Sequence, residues 1–116
     1  TWSSSGESFL EKVVEYNKGL IDSKNGKVLF INILNNLSVD CDCDGHAAKP
    51  EMKDLGILAS TDPVALEKAS LDMIYAAPAG ERAHLVERIE SRNGIHQIIY
   101  AEKLGLGSQR YELVKF

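Results

Sequence analysis

Within seven residues, the segment Asp40-Cys41-Asp42-Cys43-Asp44-Gly45-His46 gathers two thiols, three carboxylates and an imidazole. In an extended chain residues 41 and 43 point the same way, so both sulphurs can reach one metal ion at about 2.3 Å. Gly45 allows a tight turn that brings His46 back towards them. Cys41, Cys43 and His46, with Asp44 as a further oxygen donor, form a candidate metal site. Thiolate ligands select zinc or iron and disfavour magnesium and calcium. Redox chemistry at the two thiols is the other use of the same pattern. The alternative is inert cysteines packed beneath a solvated acidic loop, since free cysteine is often buried.

These are the only two cysteines in the chain. A structural disulfide one residue apart would close a tight, strained ring, so reduced thiols and a reducing, cytoplasmic compartment are expected. A four-iron cluster takes four thiolates. This chain alone does not supply them.

A second candidate is Ser60-Thr61-Asp62, placed where a strand gives way to a helix. Open α/β sheets bind ligands at such junctions, and free helix amides favour anions, so these residues are a candidate cofactor or small-anion site. The competing reading is an ordinary helix cap, with Asp62 accepting from free amides and Pro63 at the first helical position. His84 and His96 lie in helical patterns without an acidic partner at useful sequence spacing, and are expected at the surface or an interface. Asn32, Asn35 and Asn36 leave the first strand towards the long loop and can order it by hydrogen bonding. No nucleophile triad and no paired-carboxylate hydrolase site is supported, so the sequence does not establish an enzyme.

The elements that must position these residues follow from periodicity. Ser4-Ser5-Gly6-Glu7 has capping-box spacing, and apolar residues from Phe9 to Ile21 repeat at helical intervals, which predicts a helix over 5–21. Asp22 to Gly26 has turn chemistry. Lys27 to Leu34 is a β-branched, nearly uninterrupted apolar run that predicts a strand covered on both faces. From Asn35 to Asp54 no period emerges, and a loop of that length in a compact domain usually has a job. Leu55 to Ser60 predicts a second buried strand, and 63–76 a largely buried central helix. A charged helix over 81–92 stops at Asn93-Gly94, and another runs from Ile95 to Leu104 and ends at Gly105. Gly105-Leu106-Gly107 follows a helix and precedes an extended segment, the reverse of a phosphate loop, and reads as a helix stop. Tyr111 to Phe116 partly alternates and predicts an edge strand. The expected fold is a single compact α/β domain over 1–116, with a small mixed sheet of about three strands packed with about four helices.

Composition narrows the partners. A net charge of −4 leaves no basic face for nucleic acid. No apolar run approaches the roughly 20 residues of a membrane span. The absence of an initiator methionine raises the expectation of a fragment.

Phe30-Ile31-Asn32 through Cys41-Asp42-Cys43, then Asp54 to Ser60, Asp62-Pro63-Val64-Ala65 and Ala69-Ser70-Leu71-Asp72, resemble the family named domain of unknown function 362. Tyr100 to Ser108 and Tyr111-Glu112-Leu113 resemble that family's ending. The resemblance implies the C-terminal part of an uncharacterised iron-sulphur-centre protein. It also implies an N-terminal portion and a ferredoxin-type module as the partners of this domain. The module would carry the 4Fe-4S clusters and pass electrons to or from a site to which the Cys41 and Cys43 loop contributes. Gly45-His46-Ala47-Ala48 departs from the family pattern more than the flanking residues do.

Overall fold

The computed structural model describes residues 6–41 and 43–116. The Ser4 half of the expected capping box and the metal-loop residue Asp42 lie outside these. In chain order the elements are α1 (Gly6–Ser23), β1 (Phe30–Leu34), β2 (Gly56–Ser60), α2 (Pro63–Ala76), α3 (Ala79–Ser91) and α4 (Ile95–Lys103).

Helix α2 organises the molecule. Asp62 sits in extended backbone and accepts a hydrogen bond from the Ala65 amide at 2.9 Å, while Pro63 takes the first helical position, where no amide donor is needed. Val64, Ala65, Leu66, Ala69, Ser70 and Ile74 are buried, as an apolar, centrally placed helix requires. The helix packs against both strands, α3 and α4. Its Leu66 and Ala69 form the core with Leu34 and Leu58, and Phe30, Leu37, Leu55 and Met73 pack around them.

The sheet differs from expectation in three ways. Among the described residues it has two strands and is antiparallel, with Phe30 opposite Ser60 and Leu34 opposite Gly56, so it is neither mixed nor three-stranded. It is covered on one face only. Leu34 and Leu58 face α2, whereas Ile31 (57% exposed), Ile33 (63%) and Ile57 (71%) look outwards. The unbroken apolar run reads as cover on both sides because sequence shows only that a face is apolar; the cover this sheet receives comes chiefly from α2. Third, Tyr111 to Phe116 pairs with no strand among the described residues. Its anchor is instead the Tyr111 hydroxyl, which donates to Asp72 at 2.7 Å. Burial works against ionisation of Asp72, but the hydrogen bonds from Lys68 and Tyr111 and the Lys68 charge outweigh it and lower its pKa; the Tyr111 pKa is raised, first by that same bond.

Helices α1 and α4 pack side by side and are joined along a polar seam. Asn93 donates to Glu7 (2.9 Å), His96 meets Glu11 (3.0 Å) and the Tyr100 hydroxyl donates to Glu15 (2.7 Å). Glu11 and Glu15, four apart on α1, meet His96 and Tyr100, four apart on α4, which is how two helical faces align, and Asn93 just ahead of α4 meets Glu7. His96 therefore has an acidic partner, 85 residues away in sequence. The end of α4 closes as expected of a helix stop: Gly105 (φ 80°) adopts the left-handed conformation, and Leu106 and Gly105 return amide bonds to Ala101 and Glu102.

Candidate functional site

Between β1 and β2 the chain makes the long excursion that the missing periodicity foretold. Its base is closed by the Leu55 amide donating to the Leu34 carbonyl (2.8 Å) and the Asn36 amide donating to Asp54 (3.0 Å), with Asn36 itself at φ 52°. Asn36 thus helps to close the base of the loop through its backbone amide. Asn32 does not: its amide donates to Glu67 and Ser70 on α2.

A second closure lies further out. Ser38 Oγ donates to the Ala48 carbonyl (2.6 Å), the Ala48 amide donates to Asp40 Oδ2 (2.9 Å), and the Asp40 amide donates to Ser38 Oγ (3.2 Å). This stem carries Cys41 and Cys43 at its tip, where the Asp44 amide donates to the Cys41 carbonyl (2.9 Å) and turns the chain. The two sulphurs lie 2.7 Å apart, the Cys43 thiol donating to Cys41. Both are exposed, so the picture of cysteines packed under the loop does not hold.

The other expected ligands are placed differently. Asp44 turns its Oδ1 to the His46 amide (2.9 Å), and both side chains are exposed. Among the described residues no three His, Cys, Asp or Glu side chains converge as a metal-holding group. The structure therefore brings Cys41 and Cys43 together and leaves Asp44 and His46 apart from that pair.

The loop stem rests on α3. Arg88 Nη1 donates to the Val39 carbonyl (3.0 Å) and pairs with Asp40 Oδ1 (3.4 Å), while His84 Nδ1 meets Glu51 Oε2 at 2.6 Å. A cleft of about 270 Å³ separates stem and helix, floored by Leu37, Val39, Met52 and Leu85. Sequence reasoning missed Arg88 and the partner of His84 because both contacts cross more than 30 residues and follow from how α3 docks.

At the second candidate, Ser60 Oγ accepts from the Asp62 amide (2.9 Å), and the Asp62 carboxylate accepts from Ala65 with one oxygen and from the Ser108 amide (3.0 Å) with the other. Those bonds account for the Asp62 side chain within the fold. Thr61 is exposed at the same junction.

The family model described as Domain of unknown function (DUF362) matches residues 1–72. The chain belongs to that family. The match spans α1, the sheet, the cysteine loop and most of α2, so in this DUF362 chain the paired thiols lie within the family's own segment. Helices α3 and α4 lie beyond the matched residues. No curated protein and no solved structure matches the chain. No helix among the described residues is long and apolar enough to cross a membrane.

Proposed function

We propose that this DUF362 domain is the C-terminal portion of a cytoplasmic iron-sulphur protein, and that its Cys41–Cys43 loop is a solvent-facing dithiol couple. The observation that carries the reading is the 2.7 Å separation of two exposed sulphurs at the tip of a braced loop. Two exposed thiols side by side can close on one another, which is the step that thiol-disulfide exchange requires. Zinc or iron, with His46 and Asp44 completing the ligands, is the second use of the same pair and requires the tip to open. Four-iron clusters do not fit this donor set, since the chain has two cysteines and such a cluster takes four thiolates.

The couple works as follows. A Cys41 thiolate attacks a disulfide such as oxidised glutathione and releases one glutathione thiol. The Cys43 thiolate then displaces the second from the mixed disulfide, leaving a Cys41–Cys43 bond, two glutathione thiols and no net loss of electrons. The ring so closed is small and strained, which makes the bond a ready oxidant.

On titration with oxidised glutathione, the wild-type chain should lose both alkylatable thiols together and two mass units, whereas Cys41→Ser and Cys43→Ser should each stop at a glutathione adduct. Stoichiometric zinc or iron in protein purified without affinity metals, lost in the double serine variant, would instead establish the metal site.

A specific observation also favours an interaction role: Leu29, Ile31, Ile33 and Ile57 form an exposed apolar patch over the outer face of the sheet. It suits packing against the N-terminal portion or ferredoxin-type module that the family resemblance implies. The double variant Ile31→Lys, Ile57→Lys should keep the thermal midpoint of the isolated domain within a few degrees while abolishing its association with the rest of the full-length protein in pull-down. Undiminished association would remove this reading.

A further inference from the structure

Arg88 is the side chain of α3 that reaches the stem of the cysteine loop at two points. Its guanidinium donates to the Val39 carbonyl at 3.0 Å and pairs with Asp40 Oδ1 at 3.4 Å. Asp40 spends its other oxygen on the Ala48 amide, across the stem. One cation therefore holds both the Val39 carbonyl and the Asp40 carboxylate that clamps the two sides of the stem together. Both contacts come from Nη1, whose two N–H groups serve the carbonyl and the carboxylate from one planar guanidinium that stays charged. The remaining tip bonds, Asp44 amide to Cys41 carbonyl and Cys43 amide to Cys41 sulphur (3.4 Å), then set the sulphurs face to face.

We propose that Arg88 is a positioning residue for the Cys41–Cys43 couple, holding the loop stem on α3 so that the two thiols are kept within reach of one another; this rests on the dithiol reading above. Arg88 lies in α3, outside the residues that the family model matches. The consequence is thermodynamic. Fixing two reacting groups in near-bonding geometry raises the effective concentration of one thiol at the other, and so favours the disulfide over the open dithiol. Freeing the stem reduces that advantage without touching either sulphur.

The test is a redox equilibrium of the whole 116-residue chain in glutathione buffers of graded composition, quenched with acid and read by mass-tag alkylation. Arg88→Ala should lower the equilibrium constant for Cys41–Cys43 disulfide formation about tenfold, a shift of about 30 mV for a two-electron couple. Arg88→Lys should recover part of the loss. Asp40→Asn, which keeps an acceptor for Ala48 but removes the ion pair, should shift the constant in the same direction as alanine, and it decides the matter if Arg88→Ala does not fold. Glu90→Gln, on the same helix but bonded to Tyr75 of α2 rather than to the loop, should leave the constant unchanged. If the wild type forms the disulfide and both Arg88→Ala and Asp40→Asn stay within twofold of it, the positioning role is overturned while the dithiol reading stands. If the wild type forms no disulfide at any buffer composition, both fall together.

Discussion

Leu66→Ala should lower the unfolding free energy by about 3 kcal/mol, the ordinary cost of emptying a well-packed leucine site. Leu66 is 3% exposed and stands where α2 meets both strands, against Leu34 and Leu58. Truncation removes apolar contact from three elements at once, and Ala69 beside it has no side chain long enough to fill the space. For a domain of this size such a loss lowers the thermal midpoint by roughly 10–15 °C. The informative comparison is Ile33→Ala. Ile33 lies next to Leu34 on the same strand but is 63% exposed, so its truncation should cost less than about 1 kcal/mol. Equal losses at the two positions, measured by urea unfolding, would mean that the outer face of the sheet is covered after all.

Gly107→Ala should be nearly as damaging, by about 2 kcal/mol, although the change is one methyl group outside any helix or strand. A Cβ at residue 107 would overlap the Asp62 carboxylate. That carboxylate caps α2 through Ala65 and holds the Ser108 amide with its second oxygen. Either the carboxylate turns away and both amides lose their acceptor, or the 107–108 backbone lifts off α2. Loss of an N-cap costs about 1 kcal/mol, and an orphaned amide a similar amount. Asp62→Ala should remove most of that stability by itself, so the double variant Asp62→Ala, Gly107→Ala should be well short of additive. Calorimetry on the four chains supplies the cycle, and strict additivity would mean that the close approach of Gly107 to Asp62 carries no energy.

The parts of this fold legible in the sequence are those whose cause is local. Asp62-Pro63 announces the start of α2, Gly105 the end of α4, and the missing period between Asn35 and Asp54 the loop that carries the thiols. What was not legible depends on partners. The apolar run of β1 has the same residues whether one face or both are covered. The alternation of Tyr111 to Phe116 gives an extended conformation but cannot supply a neighbouring strand, and the Tyr111 hydroxyl reaches α2 instead. At the candidate site, the types and spacing of Cys41 and Cys43 were visible and their separation was not. That distance is set by the turn at Asp44 and by the stem bonds among Ser38, Asp40 and Ala48. The tight turn at Gly45 points His46 towards the thiols in sequence, whereas in the fold the His46 amide is held by Asp44 Oδ1.

The polar seam between α1 and α4 also sets an order of events during synthesis. Glu7, Glu11 and Glu15 leave the ribosome before the residues they bind, Asn93, His96 and Tyr100, which follow some 85 residues later. At 5–20 residues per second, the roughly 70 residues between the two helices take about 4 to 14 s to appear. Throughout that interval the sheet, the thiol loop and α2 can assemble while α1 waits with its seam unpaired, closing last across a loop of nearly the whole chain. A nascent chain arrested before residue 93 would therefore hold the thiol loop without a docked first helix, and α1 in it should be as open to protease as it is closed in the finished domain.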